Sequence, residues 1–206
     1  MGWASLAAGD LDDAIRQESV SLEKLRGQDE PYWTAVAVLN VGSVQAAIGR
    51  HDDAVRQWSQ ARELADRFGY HWLATWSRVQ LGTLDALRGQ LDQARSLLDE
   101  ALDLSLASRS TAFVALCLAA HARLAFGQGD LEQTALLEGV ADGLRLRAGL
   151  RAWPMLRPTK TELLTKLRQA LGADRLDQLF SARSRLSQQQ AIAAVQDRRG
   201  TRAQTS

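Results

Sequence analysis

Three histidines, one cysteine, three lysines and acid pairs such as Asp12/Asp13 and Asp52/Asp53 are among the side chains of this 206-residue chain whose types could carry chemistry. His51, His71 and His121 fall in a turn, near a helix start and inside a helix. None stands four residues from another, the spacing at which one helix face offers a metal two imidazoles, so they read as packing or solvent positions. Cys117 would need a neighbouring base to act as a nucleophile; within Leu116-Cys117-Leu118 it reads as a small core hydrophobe. As the only cysteine it forms no internal disulfide and no Cys-rich zinc site. Asp12/Asp13 and Asp52/Asp53 are types suited to acid–base work. Their recurrence in helix first turns points instead to helix capping and compensation of the N-terminal dipole. Lys24, Lys160 and Lys166 follow no glycine-rich turn, and no Gly-x-x-x-x-Gly-Lys-Ser/Thr phosphate loop is present. The chain is therefore read as non-enzymatic, with no catalytic residue, cofactor or metal expected.

The elements that position these side chains are announced by a repeat. Gly9, Gly49, Gly89 and Gly129 recur every 40 residues, and each opens a similar hexad: Gly-Asp-Leu-Asp-Asp-Ala, Gly-Arg-His-Asp-Asp-Ala, Gly-Gln-Leu-Asp-Gln-Ala and Gly-Asp-Leu-Glu-Gln-Thr. Glycine supplies the left-handed turn that ends one helix, and the acids after it suit the positive end of the next. Between corners the apolar spacing is helical, as in Leu81, Leu84, Ala86 and Leu87, then Ala94, Leu97, Leu98, Ala101 and Leu102. This predicts helix pairs at about 32–48 with 52–68, 72–88 with 91–107, and 112–126 with 131–146. Pro31 is placed to open the first of them, and Gly69 to stop the helix ending near Phe68. No alternating run predicts a strand.

The pattern Gly42, Ala54, Trp58, Ala61 resembles the tetratricopeptide consensus, in which a small residue on helix A is followed by small, aromatic and small residues on helix B. Gly82, Ala94, Leu98 and Ala101 repeat it, and Ala122 and Ala141 keep part of it. Small residues let helices approach and the bulky one fills the gap. The likeness covers residues 1 to about 145, but the period exceeds the usual ~34 residues. Thr134 and Glu138 stand where small and bulky residues are expected, so the last repeat is degenerate. The resemblance implies an all-α fold: a tetratricopeptide-like α-α superhelix of about 40-residue helix-turn-helix repeats, closed by a C-terminal helical cap. It also implies a concave groove on the A helices. Carried over by register, the partner-binding groove consists of Val36, Leu39 and Ser43, then Trp76, Val79 and Thr83, then Leu116, Ala119 and Arg123. An aromatic anchor, hydroxyls and one arginine suit a peptide or helix ligand. The competing reading is that the apolar members pack against the adjacent repeat.

The long period, the segment Ala61-Arg62-Glu63-Leu64-Ala65-Asp66-Arg67-Phe68-Gly69 and the nearby Trp72 resemble the helical repeats of LuxR-type regulators and related bacterial signal-transduction ATPases. The stretch Leu163 to Gly172, with Leu179-Phe180 and Leu186 to Ile192, is similar to the segment that closes such arrays. This resemblance implies the sensor or interaction region of a transcriptional or signalling regulator. Its partner would be a protein or peptide, another domain of the same regulator, or a small effector. A free-standing scaffold joining two proteins is the alternative. Nucleic-acid binding by the basic C-terminal segment is the third reading.

Charge and composition bound these readings. At 46% hydrophobic content the chain buries a core, and a net charge of +1 with a pI near 8.0 gives no global attraction to nucleic acid or membrane. Locally the balance is uneven. Residues 1–141 carry 12 Lys/Arg against 19 Asp/Glu, net −7, and residues 142–206 carry 13 against 5, net +8. Docking of the basic half on the acidic repeats is favoured over direct nucleic-acid contact, because no recognition helix is evident. The longest apolar stretch, near 111–120, falls short of the ~20 residues a membrane span needs. An acidic N-terminus without a basic n-region argues against a secretory signal, and the expected location is cytoplasmic. By repeat phase Gly2 matches Gly42, so the chain is expected to start inside a helix A. That describes a fragment, a truncated frame or a chain needing a neighbour over Trp3 and Leu6. Thr159–Glu162 and Ser187–Gln190 match capping boxes, predicting helix starts just after Thr159 and Ser187. The domain expectation is repeats over 1–147, capping helices over 148–196 with the junction at Pro154 and Pro158, and a disordered tail or linker over 197–206.

Overall fold

Corner residues with left-handed backbone divide the chain into helices of nearly equal length. The computed structural model describes residues 10–25, 30–151, 157–184, 186, 189–190 and 192–193. Its helices are α1 (Leu11–Leu25), α2 (Pro31–Ala47), α3 (His51–Phe68), α4 (His71–Leu87), α5 (Leu91–Ala107), α6 (Thr111–Gly127), α7 (Leu131–Arg147), α8 (Arg157–Leu171) and α9 (Ala173–Ser184). No strand occurs among the described residues, so the fold is all-α and tetratricopeptide-like. The six helices expected from periodicity appear within a residue or so of their predicted ends. Gly9, Trp3, Leu6, Pro154, Ser187 and the tail 197–206 lie outside the described residues.

The corners carry positive φ at Gly49 (80°), Gly69 (71°), Gly89 (77°), Arg109 (53°), Gly129 (77°) and Gly149 (65°). Each helix with its turn is therefore one half of the 40-residue period, and the corners inside a hairpin and between hairpins use the same left-handed geometry. Only Arg109 lacks glycine, which is why the half-period is hidden in the sequence. A side chain in this region strains against its own carbonyl by roughly 1–2 kcal/mol, partly offset by the entropy glycine loses on folding. Arg109→Gly is expected to raise the unfolding free energy by roughly 1 kcal/mol, measured as a higher denaturant midpoint at unchanged slope.

Helix starts differ from the simplest expectation in two ways. Asp52 and Asp53 lie in the first turn of α3, yet neither caps it: Arg50 occupies the N-cap and makes no side-chain cap bond. Asp52 accepts from Arg88 at 2.7 Å, and Asp53 pairs with Arg56. Side-chain caps are made by Asp10, accepting from the Asp13 amide at 3.0 Å, by Ser110, accepting from the Phe113 amide at 3.4 Å, and by Asp130, accepting from the Gln133 amide at 3.0 Å. α8 begins at Arg157, ahead of the Thr159 capping box, because Pro158 is tolerated in a first turn.

The described residues form two compact units, one built by α1–α5 and the other by α6–α9. Within the first, successive helices pack as neighbours and α2 also lies beside α4. The consensus positions Ala54, Trp58 and Ala61, and Ala94, Leu98 and Ala101, are all buried. Buried hydroxyls avoid a desolvation penalty by bonding back to their own helix: Thr75 to the His71 carbonyl at 2.9 Å, and Ser77 to that of Leu73 at 2.8 Å.

In the second unit α6 pairs with α7, and α9 crosses α7 so closely that a Cβ on Gly139 would sit 2.9 Å from the Phe180 carbonyl oxygen. Glycine is what allows that approach. Leu163 and Leu167 of α8, Leu176 and Leu179 of α9, and Ala135 of α7 form the shared core, flanked by Phe126, Leu131 and Leu136. Among the described residues no helix is long and apolar enough to cross a membrane.

Candidate functional site

In the first unit, six of the nine groove residues fall on α2 and α4, which lie side by side. Val36 and Ser43 share one helical stripe of α2 with Trp33, and Trp76 and Thr83 share the matching stripe of α4 with Leu87. Burial separates these residues. Leu39, Trp76 and Val79 are 2%, 4% and 3% exposed, whereas Val36, Ser43 and Thr83 are half-buried. The Ser43 hydroxyl donates to the Leu39 carbonyl at 3.1 Å. Trp33 and Leu87 stand out at 56% and 76% exposure, one at the start of α2 and the other at the end of α4.

An ion bridge ties α3, α4 and α5 together. Arg78 of α4 donates to both carboxylate oxygens of Asp66 on α3, at 2.8 and 3.0 Å, and to Glu100 of α5 at 2.9 Å. Its side chain is only 12% exposed. Burial alone would lower the guanidinium pKa, but the hydrogen bonds and charges of Asp66 and Glu100 outweigh it and hold the group above its ordinary value. A bidentate arginine between three helices fixes orientation as well as distance.

An aromatic cluster lies where α2 begins, α3 ends and α4 begins. The Tyr32 ring meets Trp33 and Tyr70 edge-on at centroid distances of 5.1 Å each, and Trp72 at 6.3 Å. Phe68 stacks on Tyr70 at 5.9 Å. In the sequence Trp72 stands out by resemblance and Trp76 by register, and neither signal marks this grouping. The usable signal was the concentration of Tyr32-Trp33 after Pro31 and of Phe68, Tyr70 and Trp72 around Gly69, two places that one hairpin brings together.

The remaining three groove residues, Leu116, Ala119 and Arg123, sit on α6 in the second unit. Leu116 and Ala119 are buried, at 6% exposure each. Arg123 turns into a polar cluster that sequence reading missed. Its Nη1 donates to the Ala119 carbonyl at 2.9 Å and its Nη2 to the Thr159 hydroxyl of α8 at 3.2 Å. Opposite it, Glu138 of α7 is 0% exposed, and neither carboxylate oxygen has a hydrogen-bond partner. The nearest cationic nitrogen, Nη1 of Arg123, is 3.9 Å away. Burial pushes the Glu138 pKa up against the opposing pull of Arg123, Lys160 and Arg145, with Asp142 adding to the rise. Burial likewise lowers the Arg123 pKa, against the attraction of Glu138. Asp142 behaves oppositely. Burial alone would raise it, but Lys160 of α8 and Arg145 both bond its carboxylate and hold it below the ordinary range.

The groups considered first for chemistry are placed as follows. Cys117 is fully buried, and the His121 Nδ1 lies 2.9 Å from the Cys117 carbonyl oxygen, with which it bonds in the Nδ1–H tautomer. Among the described residues no three His, Cys, Asp or Glu side chains are grouped to hold a metal ion.

Residues 33–107 match the family model of the tetratricopeptide repeat. No curated protein and no solved structure matches the chain. The matched stretch begins within α2 and ends at the last residue of α5, so these two hairpins form a tetratricopeptide-like repeat region, similar to modules that commonly mediate protein–protein interaction.

Proposed function

We propose that the α2–α5 region docks a protein or peptide on the face made by the parallel stripes of α2 and α4. The observation that carries this reading is the exposure of Trp33 and Leu87 at the two ends of stripes whose middles are half-buried at Val36, Ser43 and Thr83 and buried at Trp76. An exposed tryptophan on a rigid helix is an efficient contact anchor. Leu39, Trp76 and Val79 serve the face from beneath, as the packed floor that holds the exposed groups in place. On the second unit, Leu116, Ala119 and Arg123 have the same register and are a floor of the same kind.

The test is affinity capture with wild type against Trp33→Ala/Leu87→Asp, two surface changes expected to leave the melting temperature within a few degrees. Captured partner should fall about tenfold or more in the double variant. Equal capture by both proteins would remove this face as the interface. Trp76→Ala, by contrast, should lower the melting temperature along with any binding.

The finer reading is that the chain is the sensor or interaction region of a LuxR-type regulator, in which binding of a peptide, protein or small effector biases contacts with the rest of the regulator. Support comes from the 61–69 segment with Trp72, and from Leu163, Leu167 and Leu179, whose burial in the α8–α9 core is what a segment closing such an array would need. The corresponding division is repeats over 1–147, cap over 148–196 and tail or linker over 197–206. A neighbouring or fused ATPase or helix-turn-helix frame supports the regulator; a genomic setting with neither favours a free-standing scaffold. Several basic side chains of the second half have acidic partners within their own unit, Arg175 with Glu132 at 2.7 Å and Lys160 and Arg145 with Asp142. That favours internal docking of this charge over a nucleic-acid surface.

A further inference from the structure

Arg123 reaches two elements from one position, and Glu138 is the group that can decide between them. The guanidinium now spans from α6 to α8, donating to the Ala119 carbonyl and the Thr159 hydroxyl, and it stands 3.9 Å from Glu138 without bonding it. Glu138 is wholly buried and accepts no hydrogen bond. An ionised carboxylate in such a place is very costly, whereas a neutral carboxyl costs far less. Once ionised, it would draw the guanidinium into a charge-assisted bond of about 2.7–2.9 Å. That movement takes the Nη2 donor away from Thr159.

We propose that Arg123 and Glu138 form a proton-operated latch for α8: with Glu138 protonated Arg123 clasps Thr159, and loss of that proton transfers Arg123 to Glu138 and releases the start of the cap helix. The exchange balances simply. Glu138 gives one proton to solvent, and a buried ion pair replaces a hydrogen bond between helices.

The charged groups facing Glu138 are known from each neighbouring element. α6 contributes Arg123, α7 contributes Asp142 and Arg145, and α8 contributes Lys160. From α9, Arg175 turns to Glu132 instead. Asp142 is held below the usual carboxylate range by Lys160 and Arg145, so it stays ionised while Glu138 titrates and anchors α8 at a constant level. Glu138 is displaced the other way, above the usual range. Its contribution to the stability of the clasped state is therefore complete at pH below its unfolded pKa, and is lost as pH rises through the folded one.

The experiment is amide hydrogen exchange of α8 across pH, corrected for the intrinsic pH dependence of exchange, on the full chain. Wild-type α8 should lose protection by about tenfold as pH rises through the titration, with α7 little changed. Glu138→Gln, permanently neutral, should hold α8 protected at every pH. Thr159→Val removes the acceptor and should leave α8 at the unprotected level at low pH too. This second variant decides the matter if Glu138→Gln fails to fold. A pH-independent wild type, or a wild-type profile reproduced by Glu138→Gln or Thr159→Val, overturns the latch.

Discussion

Replacing Trp58 by alanine is expected to lower the unfolding free energy by about 3–5 kcal/mol, the range for emptying a large aromatic site in a packed core. Trp58 is 3% exposed and fills the gap between α2 and α3. Its Nε1 donates to the Leu39 carbonyl at 3.2 Å, so the substitution also removes an inter-helix hydrogen bond. The opposing surface is Gly42, where even a methyl group would stand 2.6 Å from the indole Cδ1, so that position offers no side chain to collapse into the space. Because repeats rely mostly on their immediate neighbours, the damage should be local. Hydrogen exchange should show α2, α3 and α4 losing protection first, while α6–α9 keep theirs. Chemical denaturation measures the total, and a loss below about 1 kcal/mol would mean that the slot is not close-packed.

Arg123→Leu is expected to cost about 3–5 kcal/mol near neutral pH, because it strands Glu138 without its nearest countercharge. The sign of the pH dependence follows from the direction of the Glu138 shift. Its folded pKa is already raised by burial, and Arg123 is the largest of the groups pulling it back, so removing Arg123 raises it further. Stability of the variant should be best preserved at pH below the ordinary carboxylate range and decline as pH rises through the folded pKa of Glu138. Adding Glu138→Leu should recover most of the loss, since Leu98 fills the equivalent slot of the preceding repeat at 0% exposure. Denaturant midpoints of the two single variants and the double at two pH values measure the coupling directly. If Arg123→Leu alone loses nothing at high pH, the carboxylate is not isolated from water.

The Trp58 and Glu138 slots show where local and tertiary information part. Helix lengths, left-handed corners and the small–bulky–small register are local properties. They depend on a 3.6-residue period, on which residues tolerate positive φ and on side-chain volume, all of which are written along the chain. Hence α2–α7, the glycine corners and the consensus core were legible, and the tetratricopeptide match at 33–107 agrees with them. Thr134 and Glu138 were legible only as departures from the pattern. That Thr134 satisfies its hydroxyl on the Asp130 carbonyl at 2.8 Å, while Glu138 finds no hydrogen bond and faces Arg123, required the packed neighbours to be known.

The same division holds for the candidate interface. Register placed Val36, Leu39, Ser43, Trp76, Val79 and Thr83 on two A helices, but a periodic pattern does not say how deeply a neighbouring layer covers each one. Packing left Trp33 and Leu87 outside and took Trp76 inside. The aromatic grouping of Tyr32, Trp33, Phe68, Tyr70 and Trp72 likewise exists only because a helical hairpin brings Pro31 and Gly69 to the same end. Sequence alone determined what each helix is and where it turns, since those are energies of one residue and its near neighbours along the chain. Which polar group is stranded, which arginine has two partners and which tryptophan meets solvent were decided by tertiary structure, because burial and Coulomb energy depend on distances between residues far apart in sequence.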